Sequence, residues 1–596
     1  MRILAFHAGP HDSTAAAFDD YELVAAVAEE RLTRRKNAGG MPWLAIDDVL
    51  AIAGWQRTDV DAIATTRGLL PVQYLRFSLH KEIDYAVRRW LGTEKPAREL
   101  SLLCQRRRTT DSAALFRGER FLAEHGFRAD TRLHFANHHE AHALAALFYT
   151  SWKDALVYTS DGVGDNVSCS VRTLKDDRLE CHYGDDRWLT IQRARKASLA
   201  MAYGYATEAC GFVRTRHEGK LTGLAAHGEP ALAPELARHF RLDRNGLVAA
   251  DFPTWGALQR MVAETCKGHD RSTIAASIQK VAEDLTVASV RHWLARSGSR
   301  RVALAGGMFA NVRLNRLIAE ACPVDEVFVF PAMGDDGLSV GAGTSFLLAR
   351  DGLQTWLSNR RRLRSVRLGR NYDGDIDRCL AAAPGVGRHR GVAAQVAADL
   401  IVDGKVGAVY SGRMEYGPRA LGARSIVASP ADAAINDDLN RRLDRTDFMP
   451  FAPFVLEEDA ARVFEITDVN RYAAHFMTIT CAVRPEWRKR IPAVVHVDGT
   501  ARPQIIGADE NPLYAGILKK FRAATGLPVL INTSFNVHEE PIVNRPAECL
   551  KALLDRRVDF VVTEQAVYTL DETDVVPTIS AAGDAPATAD DAALVW

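Results

Sequence analysis

The segment Asn137-His138-His139-Glu140-Ala141-His142-Ala143 carries two histidines four residues apart, at the start of a run over 141–149 that reads as helix. Residues at i and i+4 share one helical face, so His138 and His142 present two imidazoles together, a pair suited to a divalent metal. The same spacing arises on ordinary surface helices, so the pair needs partners before it means a site. Two carboxylates supply them. Asp161 follows an apolar strand over 155–160, and Asp335 follows another over 326–330. Open α/β sheets place ligand-binding groups at such strand ends. A mixed imidazole–carboxylate set suits a first-row divalent ion, Fe(II), Mn(II) or Zn(II), better than Ca(II). His139 leaves the shared face by one step and is expected behind the ligands or in the core. A metallopeptidase reading fails, because no Glu stands in HExxH placement.

A second group of residues is suited to anions. Gly9, Gly162, Gly164, Gly306, Gly307 and Gly334 stand in turns after apolar strands, where backbone amides can approach a phosphate closely. Asn311 and Asn315 follow the Gly306-Gly307 pair and suit either contacts to a ribose or base, or helix capping. Further along, 412–425 packs Arg413, Arg419 and Arg424 among glycines, and 496–504 adds Arg502 in a tight turn. Arg forks match phosphate and carboxyl oxygens. Ser534 and Asn536 end an apolar strand with polar side chains, and together these residues describe an anion and nucleotide pocket.

The elements that must position these groups alternate strand and helix. The opening reads strand, turn, strand, turn, strand over 3–28, and a similar pattern returns over 155–182. This internal repeat, each copy with a Gly- and Asp-rich first turn, suggests an α/β actin-like fold; a simple Rossmann domain would need GxGxxG after its first strand. A small-residue helix is expected over 338–348. A boundary is expected near 350–370, where Arg360-Arg361-Arg362-Leu363-Arg364 reads as a solvated linker. The expected division is 1–355, then a second α/β unit over 356–570 with a strand at 477–483, then an acidic, poorly ordered tail over 571–596.

The bulk properties narrow the function. The 596 residues are too many for one core, and 47% hydrophobic with 25% charged residues is an ordinary globular composition. Lys+Arg and Asp+Glu both total 75, so no global basic field invites nucleic acid. No apolar run approaches the roughly 18–20 residues that span a bilayer. The nine cysteines include no CxxC pair. Scattered thiols and an N-terminus that reads directly into a strand suit a cytoplasmic protein.

Read together, the motifs resemble the nodulation-type O-carbamoyltransferase family, which includes antibiotic carbamoyltransferases such as the tobramycin enzyme. The resemblance rests on Gly9-Pro10-His11-Asp12-Ser13, Glu29 through Lys36, the His138–His142 motif, Gly219 through Ala225 and Gly306 through Asn311. Gly334-Asp335, Gly417 through Gly422 and Asn532 through Asn536 continue it, in order from Ile3 to about Leu570. It implies an N-terminal domain similar to the tRNA threonylcarbamoyl transferase subunit. It also implies a C-terminal domain similar to the synthase of the threonylcarbamoyl adenylate. By this resemblance the C-terminal domain makes carbamoyl adenylate and pyrophosphate from carbamoyl phosphate and ATP, with Mg, using Arg419, Arg424, Arg445, Arg502, Ser534 and Asn536. The N-terminal domain then passes the carbamoyl group to a hydroxyl of a small molecule, a natural product or sugar. Iron is the implied metal. His11 takes the role of base with Asp12 beside it, Lys36 contacts phosphate or the carbamoyl oxygen, and Lys220 joins the glycines and Asn311 around the nucleotide.

The chain departs from the family in the Lys-x-Arg-Glu-x-x-Arg pattern, of which only Arg445 survives; Leu443, Thr446 and Met449 replace the rest. Two lost cations remove about 1.5–3 kcal/mol each of charge-assisted bonding, unless Arg441 or Arg442 compensates. His227 stands where Tyr is common, and no Gly stands between Asn536 and Glu540. Threonylcarbamoyl transfer to tRNA and a non-catalytic nucleotide-binding module are the alternatives, and a homodimer is an open possibility. The acceptor loops are expected over 69–120 and 184–207, with Trp90, Trp188 and Tyr203 suited to stacking or to core packing.

Overall fold

The structure is a computed structural model and describes residues 1–78, 81, 96–191, 197–445 and 449–571. Trp90, Thr446 and the tail from 572 lie outside the described residues.

Ten strands build two large sheets in the N-terminal half: β1 (Arg2–His7), β2 (Thr14–Asp19), β3 (Glu22–Ala28), β4 (Ala62–Thr66), β5 (Arg132–Ala136), β6 (Ala155–Gly164), β7 (Val167–Lys175), β8 (Arg178–Tyr183), β9 (Arg301–Ala305) and β10 (Glu326–Val329). The sheets have the same order, β3-β2-β1-β4-β5 and β8-β7-β6-β9-β10. In each, three strands form an antiparallel meander and two more add in parallel. This duplication is the actin-like architecture, and it enlarges the repeat read in the sequence from a hairpin unit to a whole sheet.

Two helices fill the space between the sheets: α1 (His138–Phe148) and α2 (Leu338–Ser358). Their apolar residues share one core with Ile3 and Ala5 of the first sheet and Val157 and Ala303 of the second. The small residues of α2 allow this. A Cβ at Gly341 would lie 2.1 Å from the carbonyl oxygen of Ala141, so the helices meet backbone to backbone. Helix α2 outruns its expected end and runs to Ser358 through a kink at Gly352, where φ is 75°.

Two local expectations are corrected. Asp161 does not sit in a turn after its strand. Strand β6 continues to Gly164, and the hairpin turns at Asp165 and Asn166, both left-handed at φ 44° and 70°, the pair of positive φ values a tight hairpin needs. The β6–β7 register shifts between Ser160 and Gly164; such an irregularity re-aims side chains, here that of Asp161. The strand expected over 477–483 shrinks to Cys481–Ala482, because Met477 adopts φ 57°. The arginine run is irregular and largely exposed, and its side chains nevertheless find partners. Arg360 donates to the carbonyl of Trp152, Arg361 pairs with Glu22, and Arg362 pairs with Glu326 and lies 3.8 Å over the Tyr472 ring.

The C-terminal half is built on one eight-stranded mixed sheet. Its central strands are Phe560–Val562, Gly407–Tyr410, Arg424–Ala428 and Val529–Ser534. Aromatic residues lock this half to the first. Tyr472 stacks on Phe328 at 4.3 Å, and Tyr416 and Phe476 join the core around α1 and α2.

Candidate metal centre and anion pocket

The metal candidates converge. Asn137 caps α1 by accepting from the backbone N–H of Glu140, which sets the helix start so that His138 and His142 face one way. Asp165 accepts from the N–H of His138 and pairs with the buried Arg67, tying α1 to the turn that follows Asp161. One coordinating atom from each of His138, His142, Asp161 and Asp335 lies within 4.8 Å of the other three. Oδ2 of Asp161 is 3.1 Å from Nε2 of His138 and 3.3 Å from Nε2 of His142. Oδ1 of Asp335 is buried with no hydrogen-bond partner, the same two nitrogens lying 3.6 and 3.5 Å away. A buried carboxylate oxygen left open among imidazole nitrogens fits a divalent cation.

The electrostatics agree. Burial alone would lower the pKa of His138, but Asp335 and Asp161 overcome it and raise it to about 9. Burial opposes ionisation of Asp161, yet its hydrogen bonds to His138 and His142 hold it well below the usual carboxylate range. A proton on His138 therefore offsets part of the carboxylate charge. His139 is not a ligand. It is fully buried between Thr159 Oγ1 at 2.8 Å and the Val167 carbonyl at 3.0 Å.

His11 lies in the loop between β1 and β2 and is half-buried. Its Nδ1 is 3.0 Å from Oδ2 of Asp12, and Oδ1 of Asp12 accepts from Asn37. Burial lowers the pKa of His11, but Asp12, Asp335 and Asp161 raise it to about 10. Two of those carboxylates are metal candidates, so a bound cation neutralises part of the charge that keeps His11 protonated. His7, which the sequence reading missed, ends β1 beside the cluster. Burial lowers its pKa to about 4 against the pull of Asp335. Its signal was a histidine at a strand end four residues before His11.

The glycines separate into two kinds. A Cβ at Gly164 would strike His138 Cδ2 at 2.1 Å, one at Gly9 would strike His7 Nε2 at 2.4 Å, and one at Gly306 would strike the Ser160 carbonyl at 2.2 Å. These three are required by protein neighbours. Gly162, Gly307 and Gly334 are less crowded, their nearest contacts being Met201 Sδ at 3.6 Å, Asp161 Oδ1 at 3.0 Å and Asp336 Oδ1 at 3.2 Å.

Several residues expected around the nucleotide or donor are engaged by protein partners. Asn311 caps the helix Val312–Ala321 and pairs with Gln279, so its amide is spent on the fold. Asn315 is buried against the carbonyls of Phe309 and Thr478. Arg424 has no exposed surface; it donates to the carbonyls of Ser411, Gly412 and Ala423 and lies 3.6 Å from the Tyr410 ring centre. Lys220 reaches His538 across the junction of the halves, at 3.3 Å. Tyr203 is core, bonded to Thr222 and Gln279, and Trp188 packs on Tyr183.

Arg445, Ser534 and Asn536 do come together: the Arg445 guanidinium bonds Thr533 Oγ1, Ser534 Oγ and Asn536 Oδ1 at 2.9 to 3.1 Å. Arg419 is carried by Gly417, at φ 102°, into the first half, where Arg31 donates to the Gly417 carbonyl. There it feels Asp336 and Arg502. Neither Arg419 nor Arg502 forms an ion pair within 4 Å among the described residues. Burial, then the neighbouring Arg419, pushes Arg502 well below the usual guanidinium range. Burial lowers Lys36, whose field includes Glu30, Glu539 and Arg445.

The departures are also placed. Leu443 is buried in the core of the C-terminal half, and Met449 packs against Gly223 of the other half. Arg441 and Arg442 are both paired with Asp438, and Arg442 also with Asp559.

The family model described as the carbamoyltransferase N-terminus matches residues 2–344, and that of the carbamoyltransferase C-terminus matches 398–569. The nodulation protein NolNO of Sinorhizobium fredii is 32% identical over 566 residues, which are 93% of this chain and 78% of that protein. An uncharacterized protein of Methanocaldococcus jannaschii is 32% identical over 466 residues, 74% of each chain. Among solved structures, HypF of T. kodakarensis aligns with 59% of this chain and 48% of its own at 13% identity, with a TM-score of 0.34, too slight a likeness to carry an argument. From the two family matches and the near full-length relative, the chain belongs to the carbamoyltransferase family and is a carbamoyltransferase.

Proposed function

We propose that this carbamoyltransferase couples two reactions. The C-terminal half makes carbamoyl adenylate from carbamoyl phosphate and ATP, and the N-terminal half moves the carbamoyl group to a hydroxyl of a small molecule, a natural product or sugar. For the atoms to balance, water first releases phosphate from carbamoyl phosphate to give carbamate. The carbamate oxygen attacks the α-phosphorus of ATP, and pyrophosphate leaves. In the second reaction the acceptor oxygen attacks the carbamoyl carbon, the bond to the adenylate oxygen breaks, and AMP leaves.

The observation that carries this reading is the convergence of His138, His142, Asp161 and Asp335, with His11 in the field of the same carboxylates. When bound there, a divalent ion (iron by resemblance, Mn or Zn by donor chemistry) supplies Lewis-acid neutralisation of phosphate charge. Asp12 holds Nδ1 of His11, so Nε2 is the nitrogen that takes the acceptor proton. Arg419 and Arg502 are half-buried like charges that feel one another, an arrangement that is stable when an anion joins them. Lys36 lies between the two halves and suits the phosphate as it passes.

The test supplies carbamoyl phosphate, MgATP, Fe(II), Mn(II) or Zn(II), and a panel of hydroxylated acceptors. One AMP, one pyrophosphate and one phosphate are expected per carbamoylated product, identified by mass spectrometry. Formation of ADP and phosphate alone, or product without nucleotide turnover, sinks the reading. Retained transfer to tRNA that falls steeply with salt would instead favour the tRNA alternative.

A further inference from the structure

His7 is a buried imidazole that the proposed reaction does not use. It is 2% exposed at the end of β1. Its Nδ1 lies 2.7 Å from Thr66 Oγ1 at the end of β4. Its Nε2 is buried with no hydrogen-bond partner and lies 3.8 Å from Oδ2 of Asp335. The other oxygen of Asp335, Oδ1, faces His142 and His138. The carboxylate therefore has one oxygen turned to the ligand cluster and one turned to His7.

The Thr66 hydroxyl can either donate to His7 Nδ1 or accept from it. The hydroxyl has one proton to donate, and His7 Nδ1 lies within reach of it. If Nδ1 accepts that proton, a neutral imidazole carries its own on Nε2. The backbone then holds Nε2 in place. A Cβ at Gly9 would lie 2.4 Å from it, and a Cβ at Gly68 would lie 3.6 Å from the adjoining Cε1. Two glycines and a threonine thus form a fitted seat for one ring.

We propose that His7 is a positioning residue of the metal centre, donating from Nε2 to Oδ2 of Asp335 and so presenting Oδ1 as the coordinating oxygen. This rests on the metal reading above. Ligating carboxylates are commonly oriented by such a donor, and its loss lowers metal affinity. The 3.8 Å separation exceeds hydrogen-bond length, so the contact is expected to tighten when the centre is loaded.

The experiment measures Co(II) binding to the full chain by chelator competition, together with the visible absorption of the Co(II) protein. His7→Leu is expected to weaken Co(II) by about 10–100-fold and to change the absorption bands. His7→Gln, which restores an N–H near Nε2, is expected to recover most of the affinity. Wild-type affinity and spectrum in His7→Leu overturn the proposal, as does a Gln variant as weak as the Leu variant. If His7→Leu does not fold, Thr66→Val decides: weakened Co(II) binding supports the role and unchanged binding overturns it. A wild-type protein that binds no Co(II) sinks the metal centre itself, a different outcome from a centre that binds without needing His7.

Discussion

At the scale of single residues, the candidate centre is a contest between protons and a cation. His138 has a folded pKa of about 9 against an ordinary 6.5, because Asp335 and Asp161 outweigh its burial. A raised histidine pKa stabilises the metal-free fold fully below pH 6.5, and the contribution is lost as pH rises through about 9. The same proton must leave before Nε2 can coordinate. Apparent affinity for Mn(II) or Co(II) is therefore expected to rise with pH up to about 9, with proton release upon binding. Calorimetry in buffers of different ionisation enthalpy measures that release, and a pH-independent affinity with no released proton contradicts it. The two proposed reactions also separate by residue. His11→Ala is expected to lower transfer by about 10²–10⁴-fold while ATP–pyrophosphate exchange continues. Arg445→Ala is expected to abolish the exchange. Equal loss of exchange in both variants defeats the assignment of steps to the two halves.

At the scale of elements, the glycines beside β6 show how packing gives a residue its meaning. Gly162 and Gly164 are two positions apart and look alike in the sequence. The structure separates them: a methyl at Gly164 would overlap the His138 ring, while one at Gly162 would meet only Met201 at an ordinary distance. Gly164→Ala is expected to displace His138, destabilise the fold by about 1–3 kcal/mol and weaken metal binding at least about tenfold. Gly162→Ala is expected to change neither measurably. Urea denaturation and chelator competition on the pair check this, and a reversed ranking rejects the packing account. The register shift in β6 was not legible, because an irregularity in strand pairing depends on the partner strand and not on the residues at the shift. The spacing of His138 and His142 was legible, because a helix converts four-residue spacing into a shared face without outside help.

At the scale of the molecule, the halves are joined by specific contacts as well as apolar packing. Arg34 donates to the carbonyls of Pro541 and Ile542 and pairs with Glu548. Met449 fills the space above Gly223, and the arginines of 360–362 pin the connection. Arg34→Ala is expected to cost about 1–3 kcal/mol and to expose the junction. Limited proteolysis within 359–366 should accelerate severalfold, with the metal centre, read by Co(II) absorption, unchanged. Cleavage at the wild-type rate places the stability of the junction elsewhere. Leu443 and Met449 read in sequence as lost cations; in the structure each has an apolar role, one inside the C-terminal core and one across the junction.

The sequence by itself determined the donor types, the shared face of His138 and His142, the doubled strand pattern and the family. All of these follow from local spacing or from the order of motifs. Only the tertiary structure decided which polar atoms the protein satisfies itself and which it leaves open. Asn311 and Arg424 carry side chains suited to a ligand, yet a helix end and a set of backbone carbonyls consume them. Oδ1 of Asp335 and Nε2 of His7 are left without partners. That distinction arises where sheets, helices and halves meet, because a buried hydrogen bond is made or withheld by residues distant in sequence.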